Sequence, residues 1–519
     1  MTTVHEETFR LLRHLGMQRV FGNPGSTELA FLRDFPADFQ YVLALQEAVA
    51  VGMADGYAQA TRRAALVNLH SAVGVGHAMG NIFTAYRNRT PLVITAGQQA
   101  RSLLQLDPFL FSERAAELPQ PYVKWSIEPA RAADVPRALQ RAWHIAMQPP
   151  HGPVFVSIPS DDWDEPAETV APHAVAAAGR ADSRALAALA HSLAASRRPV
   201  FVVGAGVDRD GAWQEIVALA ELHGALVWAS PLIGRASFPE DHPQFAGFLP
   251  AFREEIHRRL RGHDLLLAVG APIFTYHAPG TGPCLPEDLA VHQLTDEPSM
   301  AAAALAGESV VGGIRESLRE LVAAGRTTPP GVQRGRSPVP LLPLADPLTD
   351  RLLLQMLAEL RAPDSIIVEE APSSREPMHD HLPILRPDTF YTCSSGGLGH
   401  ALPAAVGIAL ARPDSRVIAL LGDGSAMYCI QGLWSAAQLR LPMTFIIINN
   451  GRYEALRQIG ARLGNAQPVG VELPGLDFVE LARAQGCEAC RVSTAAQLRP
   501  ALRAALASTA PMLVEVRVG

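Results

Sequence analysis

Two short polar motifs in the last third of the chain could hold a metal ion against phosphate groups. Asp423 lies within the sequence GDG, and Asn450 lies within the sequence NNG. A carboxylate and a carboxamide are hard oxygen ligands, and Mg²⁺ is usually bound through a few protein oxygens together with the phosphate oxygens of a ligand. The backbone carbonyl of Arg452 could supply a third protein oxygen. The motifs therefore predict a Mg²⁺ site, although Ca²⁺ would accept the same ligands.

Each motif follows an apolar run that predicts a buried β-strand. Residues 417–421 precede GDG, a helix-like segment follows, and residues 445–448 precede NNG. Parallel strands end at the same edge of an open α/β sheet, where such folds bind ligands, so Asp423 and Asn450 are expected to approach one point. The alternative is a capping aspartate and an ordinary Asn-Gly turn. The pairing of both motifs with strands favours the ligand site.

The segment GDGSAMYCIQGLWSAAQLRLPMTFIIINN resembles the cofactor signature of the thiamine-diphosphate-dependent enzymes. In that family the aspartate, the second asparagine and a carbonyl two residues later bind Mg²⁺ and the diphosphate, which implies Asp423, Asn450 and Arg452 here. The implied cofactors are thiamine diphosphate and Mg²⁺. The resemblance assigns six more positions to cofactor binding: Ser373, Gly396, Leu398, Gly424, Ser425 and Tyr453.

Glu47 is the candidate catalytic acid in the first part of the chain. It follows a predicted strand at residues 41–45 and opens the apolar helical pattern AVAVGMADGYAQA. A carboxylate at such a junction could simply stabilise the helix N-terminus, by about 0.3–1 kcal/mol. The segment YVLALQEAVAVGMADGYA, however, resembles the glutamate segment of the thiamine-diphosphate family, in which this residue hydrogen-bonds the aminopyrimidine of the cofactor. The resemblance therefore assigns Glu47 to both catalysis and cofactor binding.

Three further polar residues lie at predicted strand ends or turns: Ser26 in FGNPGST, His70 in LVNLHSAVG and His277 in VGAPIFTYH. A histidine can pass protons at neutral pH, whereas Ser26 could equally be a helix N-cap. These segments, together with VKWSIEPA, GPVFVSIPSDDWD and CSSGGLGHALPAAVG, resemble the benzoylformate decarboxylase branch of the family over nearly the whole chain. The resemblance implies that Ser26 binds the substrate carboxylate and that the two histidines move protons.

Several positions depart from the pattern of that branch. Gln458 and Ile459 occupy positions where aromatic residues are expected to close an aryl pocket, and Phe109 and Leu110 could refill that volume from another loop. His77 occupies the position of an expected amide, and a solvated or capping histidine is favoured over a third catalytic one. The predicted substrate pocket consists of Ser26, Phe109, Leu110, Ala455, Leu456 and Ile459.

The composition is that of a globular protein with ample material for several cores. Of 519 residues, 48% are apolar and 18% are charged. The net charge of −7 and the pI near 6.2 do not indicate a basic surface that would bind nucleic acid or anionic lipid. No secretory leader and no apolar stretch long enough for a membrane helix stand out, so a soluble cytoplasmic protein is expected. Cys487 and Cys490 have zinc-site spacing but no second ligand pair nearby, which favours two small buried residues.

Three segments alternate predicted strands and helices, which indicates parallel sheets covered on both faces. They span residues 1–165, 184–322 and 349–519, with linkers at 161–183 and 327–348. In the middle segment only three strands stand out, at 200–203, 226–229 and 265–269. The first and third segments share a plan of strand, polar turn, helix, Arg-x-Pro and strand, a weak internal repeat.

The predicted fold class is therefore α/β, with three doubly wound parallel-sheet domains. The resemblance identifies these as the pyrimidine-binding, central and diphosphate-binding domains of the thiamine-diphosphate enzyme fold. It also implies a site shared between two chains, hence a homo-oligomer, either a dimer of shared sites or a tetramer.

The predicted reaction is the non-oxidative decarboxylation of a small 2-keto acid, aromatic acids being favoured, to an aldehyde and CO₂. A carboligase or lyase of the acetolactate synthase or benzaldehyde lyase type is the main alternative. A dinucleotide-binding oxidoreductase would use VVGAGVDRDG, which resembles half of a dinucleotide fingerprint but has a misplaced third glycine. A protein with the thiamine-diphosphate enzyme fold that has no catalytic activity and only binds partners is disfavoured, because Glu47, His70 and His277 are all present.

Overall fold

The computed structural model describes residues 2–175, 179–326, 331, 333–337 and 339–519. Parts of both predicted linkers, including Pro329, Pro330 and Pro338, lie outside the described residues. Within the described ranges, no helix has both the length and the apolar character that crossing a membrane requires.

The first segment forms a parallel sheet of six strands. These are β1 (Arg19–Gly22), β2 (Gln40–Leu43), β3 (Ala65–Leu69), β4 (Leu92–Gln98), β5 (Ser126–Ile127) and β6 (Val154–Pro159). Its helices are α1 (Val4–Leu15), α2 (Leu29–Leu32), α3 (Glu47–Thr61), α4 (Ser71–Asn88) and α5 (Val135–Met147), with 3₁₀ turns at Ser26–Glu28, Arg101–Leu106, Ala132–Asp134 and Asp162–Asp164. The strand order is β2-β1-β3-β4-β6-β5. The central strands β3 and β4 are buried along their whole length, as their apolar runs predict.

Lys124, which precedes β5, is the single lysine of the chain. Its ammonium group donates hydrogen bonds to the carbonyl oxygens of Ile145 at 2.5 Å and Gln148 at 2.6 Å, where α5 ends. A cation at this position satisfies carbonyls that the end of a helix leaves unpaired. Burial, reinforced by the charge of Arg89, lowers the pKa of Lys124 to about 8.

The middle segment forms a second parallel sheet. Its strands are β7 (Pro199–Val203), β8 (Leu226–Ala229), β9 (Phe245–Phe248), β10 (Leu265–Val269), β11 (Ala290–Thr295) and β12 (Glu308–Val311). Its helices are α6 (Ser183–Ala195), α7 (Ala205–Arg209), α8 (Trp213–His223), α9 (Arg253–Leu260), α10 (Pro298–Ala302) and α11 (Ile314–Ala324). The order is β12-β11-β10-β7-β8-β9. The sequence did not indicate β9, β11 and β12, which are short or interrupted by polar residues and glycine.

The glycines of VVGAGVDRDG pack against a neighbouring loop. The N–H of Gly204 donates to the carbonyl of Val269 at 2.9 Å, and that of Gly206 donates to the carbonyl of Gly270 at 3.1 Å. A Cβ at Gly206 would lie 2.7 Å from the Cα of Gly270, so a larger residue would separate the two loops. These N–H groups are therefore occupied within the protein, which disfavours the dinucleotide-binding alternative.

The last segment forms the third parallel sheet. Its strands are β13 (Ile366–Glu370), β14 (Phe390–Thr392), β15 (Val417–Gly422), β16 (Thr444–Asn449), β17 (Glu488–Val492) and β18 (Met512–Arg517). Its helices are α12 (Asp350–Leu360), α13 (Arg375–His381), α14 (Ala401–Ala411), α15 (Asp423–Tyr428), α16 (Gly432–Gln438), α17 (Glu454–Arg462), α18 (Phe478–Ala484) and α19 (Ala495–Ala507), with a 3₁₀ turn at Pro372–Ser374. The order β14-β13-β15-β16-β18-β17 repeats that of the first sheet. Three parallel six-stranded sheets confirm the predicted fold class.

Helices α3 and α14 join the first and third sheets through direct backbone contact. A Cβ at Gly56 would lie 2.1 Å from the carbonyl oxygen of Ala404, and one at Gly407 would lie 1.8 Å from that of Met53. Only glycine permits this approach, so apolar residues from both sheets share one core. The predicted domain boundaries stay a prediction, but each sheet lies within one predicted segment.

Candidate active site

The carboxylate of Asp423 lies where β15 ends, and the loop after β16 folds around it. Its oxygens accept backbone N–H groups from Gly424 at 2.7 Å, Asn450 at 3.1 Å, Gly451 at 2.7 Å and Arg452 at 3.2 Å. Gly451 has φ +71°, the left-handed region that glycine adopts without strain. Burial raises the pKa of Asp423, although the N–H groups favour its charged form. The structure thus brings the two predicted motifs together at one sheet edge.

The oxygen atoms of this loop fit a hard cation that also binds phosphate. The side-chain oxygen of Asn450 accepts the N–H of Arg452 at 3.1 Å, so a carboxamide and a carboxylate share one short loop. A Cβ at Gly424 would lie 2.2 Å from the ring of Tyr453, which therefore packs directly on the backbone beside Asp423. Among the described residues, no group of three or more His, Cys, Asp and Glu side chains is placed to hold a metal ion. One carboxylate with neutral oxygens suits a cation whose remaining ligands are phosphate oxygens.

The other predicted cofactor residues follow neighbouring strands at this same edge. Ser373 is half-buried in the turn after β13, Gly396 and Leu398 follow β14, and Ser425 is buried in α15 after β15. Gly396 has φ +74°, and no atom lies within 4 Å of a Cβ placed there. The carboxyl ends of parallel strands therefore place all the predicted cofactor residues of the third sheet on one side.

His70 lies directly after β3, and a buried carboxylate holds its ring. The Nδ1 atom of His70 lies 2.9 Å from Oε2 of Glu28, whose side chain is fully buried. Glu28 also accepts the N–H groups of Gly25 at 2.8 Å and Gly97 at 3.0 Å, and the hydroxyl of Thr27 at 2.7 Å. An imidazole that donates Nδ1–H to a carboxylate presents Nε2 to its other side as a proton acceptor.

Glu28 was not predicted from the sequence, because an acid that follows Ser-Thr in a first helical turn usually stabilises the N-terminus of that helix. Its position in GSTELAF gives no signal that separates it from an ordinary N-terminal acid. The bound ring also explains Gly25, where a Cβ would lie 2.2 Å from Nδ1 of His70.

Ser26 is the first residue of its 3₁₀ turn, and Gly25 occupies the N-cap position. Ser26 is exposed, and within the described part of the chain its hydroxyl forms no hydrogen bond. The N-cap alternative is therefore not what the structure shows, and the hydroxyl is free to bind a ligand beside His70.

Glu47 is the first residue of α3 and is 7% exposed. The side chain of Gln46 caps this helix by accepting the N–H groups of Ala48 at 2.6 Å and Val49 at 3.2 Å. The carboxylate of Glu47 instead contacts a side chain, with Nδ2 of Asn23 3.3 Å from its Oε1. Since another residue caps the helix, Glu47 is available for chemistry.

His77 contacts the second oxygen of the same carboxylate. Its Nδ1 lies 3.2 Å from Oε2 of Glu47, and its side chain is 58% exposed. The expectation of a solvated histidine agrees with this exposure, but a capping role is wrong because His77 lies inside α4. The contact with Glu47 was not visible in the sequence, because the two residues belong to different helices.

Hydrogen bonds hold the loop that carries Phe109 and Leu110 next to His70. The hydroxyl of Ser71 donates to the carbonyl of Leu110 at 2.8 Å, and Gln98 binds both the N–H and the carbonyl of the nearby Ser112. Phe109 is 86% exposed in the single chain. Phe109 and Leu110 therefore lie at the edge of the first sheet that also carries His70.

A cavity of about 1030 Å³ lies between the second and third sheets. His277, Ser373, Ala455 and Ile459 line it, so residues predicted for proton transfer, cofactor binding and the substrate pocket share one space. Leu456 does not line this cavity and is 53% exposed. Its place in the substrate pocket stays a prediction.

Within one chain the predicted residues form two groups. The amino-terminal group consists of Ser26, Glu47, His70, Phe109 and Leu110. The carboxy-terminal group consists of His277, Ser373, Gly396, Leu398, Asp423, Gly424, Ser425, Asn450, Arg452, Tyr453, Ala455, Leu456 and Ile459. No hydrogen bond or ion pair between described residues joins the two groups, and the large cavity contains no residue of the amino-terminal group.

Three family models match the chain. They describe the N-terminal TPP binding domain of thiamine pyrophosphate enzymes at residues 2–117, the central domain at 186–321 and the C-terminal TPP binding domain at 373–516. A benzoylformate decarboxylase of Pseudomonas aeruginosa is 44% identical over 524 residues, which cover 99% of both chains.

Solved structures agree with these matches. A benzoylformate decarboxylase of Polynucleobacter necessarius superimposes with a TM-score of 0.98 at 40% identity, covering 100% of this chain and 99% of that one. A thiamine diphosphate-dependent 4-hydroxybenzoylformate decarboxylase of Rhodococcus jostii RHA1 gives a TM-score of 0.97 at 41% identity, with the same coverage. The resemblance in the sequence is confirmed: the chain belongs to the thiamine pyrophosphate enzyme family.

Proposed function

We propose that the protein is a thiamine-diphosphate-dependent decarboxylase that converts an aryl 2-keto acid, such as benzoylformate, to an aldehyde and CO₂. The observation that carries the proposal is His70, held at Nδ1 by the buried carboxylate of Glu28. Decarboxylation replaces a carboxylate by hydrogen, so the site needs a positioned group that supplies a proton. The full-length similarity to benzoylformate decarboxylases supports the same reaction.

The third sheet supplies the proposed cofactor site. Asp423, Asn450 and the carbonyl of Arg452 would hold Mg²⁺, or Ca²⁺ in its place, against the diphosphate. The six neighbouring residues assigned above would contact the rest of the cofactor. When bound, thiamine diphosphate serves as the electron sink for the bond that releases CO₂.

Four residues of the chain orient the substrate and transfer protons. The free hydroxyl of Ser26 orients the substrate carboxylate, and Glu47 holds a proton against the aminopyrimidine of the cofactor. His70 and His277 give and accept protons at the carbon and oxygen of the former keto group. Ser26 begins a 3₁₀ turn, Glu47 begins α3 and His70 directly follows β3, so rigid elements fix these three positions, whereas His277 lies in the loop after β10.

We further propose that two chains complete each site, in a dimer or a tetramer. Among the described residues, no hydrogen bond or ion pair joins the amino-terminal and carboxy-terminal groups and they do not line the same cavity, which supports a site shared across subunits. Large apolar side chains are also exposed around the amino-terminal group, with Leu45 and Val73 50% exposed, Leu106 74% and Phe109 86%. Exposed apolar patches of this kind commonly mark interfaces.

The cytoplasm stays the predicted location, supported by five free cysteines.

The reaction can be tested with purified protein, thiamine diphosphate and Mg²⁺. We expect CO₂ and aldehyde from benzoylformate, slower release from pyruvate or a branched 2-keto acid, and loss of turnover in Glu47→Gln. If none of these acids, nor 4-carboxybenzoylformate, releases CO₂ while calorimetry shows that the cofactor binds, the proposed decarboxylation is wrong. Formation of a 2-hydroxy ketone from two aldehydes would then support the carboligase alternative.

A further inference from the structure

The cavity between the second and third sheets is rich in positive charge, although the chain carries a net charge of −7. Five arginines and three carboxylates line it, and one of these arginines, Arg375, pairs with the buried Glu369 at 2.7 Å. The arginines are Arg259, Arg336, Arg351, Arg375 and Arg462, and the acids are Asp350, Glu376 and Asp380. A concave surface with an excess of one charge attracts ligands of the opposite charge.

Two of these arginines are held by aromatic rings instead of carboxylates. The guanidinium carbon of Arg259 lies 5.1 Å from the ring centre of Trp228, and that of Arg462 lies 4.7 Å from the ring centre of Phe252. Among the described residues, neither Arg259 nor Arg462 forms an ion pair or a side-chain hydrogen bond. A guanidinium stacked on a ring keeps its N–H edges available, and this planar fork suits carboxylate oxygens.

Arg462 belongs to the same helix face as the predicted substrate pocket. Ala455, Gln458, Ile459 and Arg462 all line the cavity, and their spacing places them along one face of α17. Seven residues correspond to about 10 Å of helix axis. The guanidinium of Arg462 lies over the ring of Phe252, which lines the same cavity as Ile459.

The loop at residues 450–453, which is proposed to bind the cofactor, is called the cofactor loop. The face of α17 therefore passes from a small residue, Ala455, beside the cofactor loop, through Ile459, to the cation of Arg462. The aromatic residues expected at positions 458 and 459 would have closed the pocket before Arg462. With Gln458 and Ile459 in their place, a substrate side chain can extend to the guanidinium.

We propose that the substrate is a 2-keto acid with a second acidic group at the far end of its side chain, and that Arg462 binds this group. The inference rests on the proposed decarboxylation and specifies its substrate class. The keto acid end reacts at the cofactor loop, the middle of the side chain packs on Ile459, and the distal carboxylate accepts two N–H bonds from the guanidinium.

The test compares kcat/KM for benzoylformate and for its 4-carboxy derivative. We expect the wild type to favour the 4-carboxy acid about tenfold or more, and Arg462→Gln to lower its kcat/KM about 10- to 100-fold, the value of a charged hydrogen bond. Turnover of benzoylformate should change less than about twofold. Arg462→Lys should recover part of the loss because it retains the charge but not the planar fork.

Arg457→Gln is the matched control. Arg457 lies on the same helix, pairs with Glu454 at 3.2 Å and does not line the cavity. It should leave both kcat/KM values unchanged. A wild type that favours benzoylformate, or an equal loss for both acids in Arg462→Gln, would contradict the inference.

Calorimetric titration with terephthalate, without cofactor, separates this inference from the proposed reaction. We expect the Kd of terephthalate to rise about tenfold or more in Arg462→Gln, while benzoate binds both proteins alike. If neither keto acid is decarboxylated but terephthalate behaves in this way, the reaction is wrong and the anion site stands. If terephthalate binds both proteins equally, the inference fails whatever the turnover.

Discussion

The first and third sheets have the same strand order but different chemistry at their carboxyl edges. In the first sheet, β3 is followed by His70; in the third, the equivalent strand β15 is followed by Asp423. The first edge carries an imidazole and carboxylates that can move protons. The second carries oxygen atoms and backbone N–H groups that can hold a cation and phosphate. The topology fixes where functional residues lie, and the residue types decide what they do.

The division between the two edges extends to how each acid is held. Glu28 and Glu47 contact side chains that can accept or donate protons, including His70 and His77. Asp423 is surrounded by four backbone N–H groups, which cannot be exchanged by mutation. The first edge is thus expected to control rate, and the second to control cofactor affinity.

The largest effect is expected from Glu47→Gln. The amide cannot hold the transferable proton, so kcat should fall by about 10²- to 10⁴-fold. Because Asp423 and its loop are intact, calorimetry should show a loss of affinity for thiamine diphosphate and Mg²⁺ that is smaller than the loss in kcat and limited to the hydrogen bond with the aminopyrimidine. A Glu47→Gln variant that bound thiamine diphosphate much more weakly, but kept the wild-type kcat at saturating cofactor, would contradict the assignment of rate control to the first edge.

Asp423→Asn tests the second edge, the carboxyl edge of the third sheet. Loss of the charged oxygen should weaken cofactor binding in the presence of Mg²⁺ by about 10- to 100-fold, as measured by calorimetry. Saturating cofactor should restore much of kcat, since the amino-terminal group is unchanged. Unaltered affinity in this variant would show that Asp423 is not a metal ligand.

Glu28→Gln should give a smaller effect on rate. Without the carboxylate, the ring of His70 loses the partner that fixes its tautomer, and kcat should fall about 10- to 100-fold with a changed pH profile. Thr27→Val provides a milder comparison, because the hydroxyl lies 3.0 Å from Nδ1 of His70 but carries no charge. Equal loss in both variants would indicate a packing effect instead.

The second sheet serves as a reference, and His223→Gln there should leave kcat unchanged. Arg326 donates to Nδ1 of His223 at 3.2 Å, and burial together with this charge lowers the pKa of His223 to about 4. The unfolded chain protonates histidine near pH 6.5, so between these values the unfolded state binds more protons and stability falls as pH decreases.

The substitution should remove up to about 3 kcal/mol of this pH dependence between pH 6.5 and 4, measured by unfolding at several pH values. His191→Gln, on the exposed side of α6, is the matched control and should keep the wild-type slope. A His223→Gln variant with the wild-type slope would show that this histidine does not titrate between the two values.

The sequence predicted what depends on local pattern. Apolar runs located β8 and β10 at their observed bounds, and two polar motifs at strand ends located the Asp423 loop. Edge strands such as β12 were missed because a half-exposed strand lacks a continuous apolar run. Glu28 and the contact of His77 with Glu47 were missed because each depends on two elements distant in the sequence. Local pattern reveals strands and their ends, but not which side chains meet.

The single lysine makes the first sheet separately observable. A lysine-specific protease can cleave the chain only after Lys124, and the folded protein shields that site through the two carbonyls at the end of α5. Each cleavage therefore reports one opening event at the edge strand β5. The rate of this single cut thus measures the local stability of the sheet whose carboxyl edge carries His70 and Glu47.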